Sequence, residues 1–269
     1  MKIIEQSVIG KTNEEKCEDG IIVTDDFVAV IDGSTSKAPF SFHHGITNGK
    51  LCMNVVKSYI SSMPGDISMD RFCNLITGYI NFMYKRYGAN IGILEKEPTF
   101  RMTASAVIYS RVRSEIWMIG DCQCMINGEL FENPKPYEEP IAEMRAGYNK
   151  LMLQLGKTKE ELMEHDEGRD HIMPFLIKGC IYQNKTYSVI DGFSIPLDKV
   201  RVIPVPADSE VVLASDGYPF LKGTLNESEE SLRHLVSEDP LCINEYQATK
   251  GLKPGNSSFD DRAYIRFKA

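Results

Sequence analysis

The chain has 269 residues, of which 42% are hydrophobic and 25% charged, with a net charge of -8 and seven cysteines. This composition excludes a disordered or fibrous protein, and the negative balance argues against a general binder of nucleic acid or of anionic membrane. The opening Met1-Lys2-Ile3-Ile4-Glu5-Gln6 begins no long apolar run, so neither a signal peptide nor a membrane span is predicted, and a cytoplasmic location is expected. An odd number of scattered cysteines fits reduced thiols. Cys122 and Cys124 form the only close pair and, with no second pair or histidine cluster to complete a zinc set, read as small core residues.

In chain order, Ile21-Ile22-Val23, a Thr24-Asp25-Asp26 turn and Phe27-Val28-Ala29-Val30-Ile31 predict a hairpin. Its second strand is buried and delivers Asp32 where the chain leaves the core. Two helices follow. The first, over residues 51–63, aligns Leu51, Val55, Val56, Tyr59, Ile60 and Met63. The second places Phe72, Leu75, Ile76, Tyr79 and Met83 on one face, with Asp66 or Ser68 as its cap. Residues 102–108, 115–119 and 122–126 return to strand patterns joined by short turns, which predicts antiparallel neighbours. The segment 134–184 is charged, Met-rich and helix-favouring, with helices over 138–155 and 159–165, and is placed to cover or regulate a site. Strands follow at 200–205, 211–214 and 263–267, with a polar helix over 227–237. No repeat, low-complexity tract or linker divides the chain, so one α+β domain over residues 1–269 is expected, carrying a helical insertion at about 134–184.

The chemistry is carried by acidic loop-ends: Cys17-Glu18-Asp19-Gly20, Val30-Ile31-Asp32-Gly33, Ile119-Gly120-Asp121, Ala214-Ser215-Asp216-Gly217 and Phe259-Asp260-Asp261-Arg262. Most adjoin a short apolar strand, so a folded sheet would gather their carboxylates at one end. Gathered carboxylates repel, and a hard divalent cation removes the repulsion. Each motif also has a plainer reading. Asp-Gly is a common turn, Gly-Asp suits a tight hairpin, Glu18 has acidic neighbours in what reads as a solvated loop, and Asp261 can replace Asp260 after a shift of one residue. Val189-Ile190-Asp191-Gly192 repeats the Asp32 motif letter for letter. Asp191 is expected to be a structural turn because it falls outside the ordered series.

In order and spacing, Glu18-Asp19, Asp32-Gly33, Thr103-Ala104, Gly120-Asp121, Ser215-Asp216-Gly217 and Asp260-Asp261 resemble the successive motifs of the metal-dependent serine/threonine protein phosphatases of the 2C type, in a divergent, bacterial-like branch. The resemblance implies a four-layer αββα sandwich, two antiparallel sheets flanked by helix pairs, with a site for two Mn²⁺ or Mg²⁺ ions at one end. It implies that Asp32 bridges the two ions, that the carbonyl of Gly33 and Glu18 complete one, and that Asp216 and Asp260 hold the other. It also implies that Asp121 with Asp216 binds a third, weaker ion and that Asp19 supports the ligands from behind. The expected reaction is hydrolysis of phosphoserine or phosphothreonine in a phosphoprotein substrate, by a hydroxide shared between the metals that attacks phosphorus in line.

The chain departs from the family at three points. The arginine usually found four residues before the first Glu is Glu14, so the grip on substrate phosphate passes to Lys11, Lys16 or Lys37 as candidates. Ser34-Thr35-Ser36-Lys37 follows Asp32-Gly33 in place of a glycine pair or histidine; His43 and His44 lie nearby but are expected to face solvent. Gln123 stands where Arg usually follows Gly-Asp. These departures keep a second expectation in view: a phosphatase-like sensor or scaffold of weak or no activity that binds a protein partner.

Overall fold

The computed structural model describes all residues, 1–269. Ten strands make two five-stranded antiparallel sheets. The first runs β2 (Asp19–Val23), β3 (Phe27–Gly33), β4 (Ala104–Ser110), β5 (Glu115–Ile119) and β8 (Arg201–Pro204). The second runs β1 (Lys2–Ile9), β10 (Arg262–Lys268), β9 (Glu210–Ala214), β6 (Gln123–Ile126) and β7 (Glu129–Phe131).

Period-two alternation assigns each strand's faces. Val28, Val30, Val107, Met118, Leu213 and Ile265 meet between the sheets, together with Cys122 and Cys124, which are core residues as expected. Phe27, Ala29, Ile31, Ala106 and Trp117 point the other way, into α1 (Asn48–Ile60) and α2 (Met69–Arg86), with Leu94 of the short α3 (Ile91–Lys96) in the same cluster. On the outer face of the second sheet, Val212, Ala214 and Tyr264 are covered by Leu232 and Leu235 of α7 (Leu225–Glu238), with Cys242 beside them. The α+β sandwich of two antiparallel sheets between helices is therefore present.

Several elements differ from expectation in instructive ways. The first helix begins earlier, at Asn48, because Thr47 caps it by accepting the amide of Lys50. In α2 the buried face is Phe72, Cys73, Ile76, Ile80 and Tyr84, and Leu75 is exposed; the true stripe is rotated from the predicted one. The insertion holds α4 (Glu138–Gln154), α5 (Lys159–Glu164) and a third helix, α6 (Glu167–Cys180), hidden in the sequence by Pro174 and by glycines at 168 and 179. Last, β5 and β6 are not hairpin partners: β5 pairs with β4 and β8, whereas β6 pairs with β7 and β9 in the opposite sheet. Gly120, at φ 85°, makes the crossing, and a side chain there would collide with Ser105. The crossing decides where Asp121 goes.

Candidate metal centre

At one end of the sandwich, β3 of the first sheet, β9 of the second and the crossing between the sheets all stop together. Asp32, Asp121 and Asp216 each place a carboxylate oxygen within 4.8 Å of the others. Asp32 lies opposite Asp19 on β2 and opposite Ser105 on β4. Ser105 donates to Asp121 Oδ1 at 2.6 Å, so the register of β3 with β4 fixes one carboxylate relative to the other. Asp216 follows Ser215, whose amide donates to Ala263 O at 3.0 Å and whose Oγ accepts the Ala263 amide at 2.9 Å. Gln123 clamps the same loop, donating to Ser215 O at 3.2 Å and Tyr218 O at 2.9 Å. The residue standing in the usual arginine position thus holds the backbone around Asp216.

The electrostatics divide the cluster in two. The carboxylates of Asp32 and Asp216 receive no hydrogen bond or ion pair from the protein, although the Asp32 backbone lies in the β3 ladder. Burial first, then the charges of Asp216, Asp19 and Asp121, pushes the Asp32 carboxyl well above the usual range. Asp216 is raised to about 7, by desolvation and then by Asp121 and Asp260. Asp19 is raised as well, mainly by burial, and its Oδ2 is buried with no partner. Asp121 moves the opposite way: burial opposes ionisation, but the Lys135 ammonium, paired with Oδ2, and the bond from Ser105 outweigh it and hold the pKa low. Asp260 is similarly held low against burial by Lys250 and Lys11, with Lys11 Nζ at 2.8 Å from Oδ1.

Asp260 therefore adjoins the cluster without belonging to its tightest triangle, although its charge is felt at Asp32, Asp19 and Asp216. Asp261 is structural, accepting the amides of Lys11 at 2.8 Å and Glu18 at 3.0 Å and so tying the chain after β1 to the last strand. Glu18 is buried and held by two hydroxyls, Thr47 Oγ1 at 2.5 Å and Thr35 Oγ1 at 2.7 Å. A side chain at Gly49 would come within 2.6 Å of Glu18 Oε1 and 2.8 Å of the Gly33 carbonyl, so these two oxygens flank the same glycine at the start of α1.

Of the lysines proposed to grip phosphate, Lys11 is consumed by Asp260 and Asp261. Lys16 is exposed on a short turn beside Glu14. Lys37 donates only to the Thr35 carbonyl, at 3.2 Å. His43 and His44 are exposed, as expected. Sequence reasoning missed Lys135, Lys250, Thr35 and Thr47, which contact the candidate ligands. No motif marks them; only the topology brings them to the carboxylates.

No protein-family model matches the sequence, and no curated protein is similar to it. Among solved structures, the chain is similar to the catalytic domain of the serine/threonine protein phosphatase PstP in complex with two manganese ions, at 12% identity and TM-score 0.49 with 100% of both chains covered. It is also similar to the serine/threonine phosphatase Stp1 from Staphylococcus aureus, at 15% identity and TM-score 0.47, covering 100% of this chain and 95% of that one. A third is RsbX in complex with magnesium, at 12% identity and TM-score 0.43, covering 99% and 98%. No helix of the chain is long and apolar enough to cross a membrane.

Proposed function

We propose that the chain is a single-domain, cytoplasmic, metal-dependent phosphomonoesterase that hydrolyses phosphoserine or phosphothreonine in a phosphoprotein substrate, using two Mn²⁺ or Mg²⁺ ions. The observation that carries this reading is the meeting of Asp32, Asp121 and Asp216 within 4.8 Å, two of them without any protein partner. The donor set fits hard cations: all the side chains are carboxylates, and the buried, unpartnered Asp19 Oδ2 behind them is an acceptor still lacking a donor. Asp32 would be shared between the ions, Glu18 and the Gly33 carbonyl would serve one, and Asp216 with Asp260 the other. A third ion at Asp121 would have to displace Lys135.

Ions held there supply Lewis acidity, lowering the pKa of water and offsetting charge on phosphoryl oxygens. The chain's own part is positioning. Thr35 and Thr47 orient Glu18, Ser105 orients Asp121, Gln123 and Ser215 fix the loop of Asp216, and Asp261 pins the backbone of Glu18. Such supporting bonds determine how well a ligand set is preorganised.

Hydrolysis of an aryl phosphate and of phosphoserine peptides, with Mn²⁺ and with EDTA, tests the reading. Turnover that requires Mn²⁺ is expected, and turnover that persists in EDTA refutes it. The lysine pairs on Asp121 and Asp260, with Glu14 in place of the usual arginine, favour a second reading, the inactive sensor or scaffold. Manganese binding without turnover on a panel of phosphopeptides would select that reading.

A further inference from the structure

One side of the carboxylate cluster is overlooked by cations that the acidic motifs do not account for. Lys37, in the loop after β3, hangs from Thr35, the same residue that holds Glu18. Arg169, in the first turn of α6, donates through Nη1 to Thr249 O at 2.6 Å, and the next residue, Lys250, is paired with Asp260. Thr35 thus ties the loop to Glu18, and Arg169 ties the insertion to the segment before β10 that pairs with Asp260.

These cations are not equally compensated. Lys135 has Asp121 and Lys250 has Asp260. The Arg169 guanidinium forms no ion pair: Asp166 is paired with Arg145 at 2.7 Å and accepts the Arg169 backbone amide as the cap of α6, and Asp166 and Asp260 act on the guanidinium only through their charge. Lys37 has only a carbonyl, while the charges of Arg169, Lys250 and Lys135 all bear on it; burial, then Arg169, lowers its pKa. Burial likewise lowers that of Arg169. Partly desolvated cations near one another, each hydrogen-bonded to a carbonyl and neither in an ion pair, are unfavourable in the free protein. An oxyanion placed between them removes the repulsion, and a guanidinium beside an ammonium offers a fork and a point charge to its several oxygens.

We infer that Lys37 and Arg169, with Lys250 at the edge, form an oxyanion site at the rim of the carboxylate cluster that takes the phosphoryl group of a phosphate monoester. The inference rests on the phosphatase reading for its substrate but not for its anion. It assigns a binding role to the insertion, since Arg169 belongs to α6, and it leaves Lys11 and Lys16 out of the grip.

The test uses the full chain loaded with Mn²⁺ and three variants: Lys37→Gln, Arg169→Gln and the double variant. Titration with inorganic phosphate should show about tenfold weaker binding in each single variant, and more in the double, with Mn²⁺ affinity and thermal midpoint unchanged. KM for a phosphoserine peptide should rise by a similar factor. If Arg169→Gln disturbs α6, Lys37→Gln alone carries the test, because its only bond is to a loop carbonyl. Unchanged phosphate affinity in folded variants overturns the site, even if wild-type turnover upholds the phosphatase reading. Phosphate binding that depends on Lys37 and Arg169 in a protein without turnover upholds the site while the phosphatase reading fails.

Discussion

Val30-Ile31-Asp32-Gly33 and Val189-Ile190-Asp191-Gly192 are the same four letters, and the fold uses them oppositely. Both lie beside Ala104: Gly33 pairs with it from β3, and Ile190 bridges it from the other side through amide bonds of 2.9 Å in each direction. Asp191 is fully buried and fully satisfied. Its Oδ2 accepts from Arg101 and Gln183 and its Oδ1 from Asn184, each at 2.8 Å, and Oδ1 also accepts the Phe193 amide at 2.9 Å. Arg101 is locked in turn over the Phe193 ring, 3.6 Å from its centroid. The Asp32 carboxylate accepts nothing and faces other carboxylates. One aspartate has spent its lone pairs on the fold; the other leaves its carboxylate unpartnered, as the proposed metal ligation requires. Partner count, which the tetrapeptide cannot encode, separates stability from function.

If that contrast is right, Asp32→Asn should cut Mn²⁺-dependent hydrolysis by roughly a thousandfold or more, since losing a shared ligand removes several kcal/mol at about 1.4 kcal/mol per decade. The same change should leave the thermal midpoint of the metal-free protein unchanged or higher, because it relieves repulsion. Asp191→Ala should do the reverse. Stranding the buried Arg101 costs about 3–5 kcal/mol, a fall in midpoint on the order of 10 °C by calorimetry. A midpoint that drops more for Asp32→Asn than for Asp191→Ala breaks the contrast.

The carboxyl pKa shifts give a further handle. Asp32, Asp19 and Asp216 are raised, so between about pH 4 and about pH 7 the folded, metal-free chain binds more protons than the unfolded one. Its stability should therefore fall as pH rises through that window, and saturating Mn²⁺ should flatten the slope. Asp121 and Asp260, held low, contribute in the opposite sense, and their stabilisation is lost only as pH falls below the ordinary carboxylate range. Denaturant midpoints at pH 5 and pH 7 with EDTA would show the sign. The smallest effect is expected of Thr35→Val, which frees Glu18 Oε2. It should weaken Mn²⁺ binding by about tenfold with little change in stability, and binding as tight as wild type would remove Glu18 from the ligand set.

Much of the scaffold was legible because its strands are short apolar runs ended by acidic turns. The hairpin of β2 and β3, the limits of β5 and the start of α4 follow directly from period and punctuation. Other features were hidden for physical reasons. β1 half-buries Glu5 and Ser7 and leaves Ile4 and Val8 exposed, so its alternation gives no strand signal. The Gly120-Asp121 step looks like a hairpin between adjacent strands, but a positive φ sends the chain to the other sheet, and that carries Asp121 to Asp32. The acidic half of the site could be read because its residues recur in motifs. Of the basic half only Lys37 was a candidate from the sequence, since Lys135, Arg169 and Lys250 carry no motif and reach the rim only through the folded topology.

Calorimetric titration of Mn²⁺ into the wild-type chain and into Asp32→Asn, both shown folded by their thermal midpoints, bears most directly on the claim that these carboxylates await cations. The account predicts two ions bound by the wild type and loss of that binding in the variant. A wild type that takes up no Mn²⁺, or a variant that binds it as well as the wild type, would contradict it.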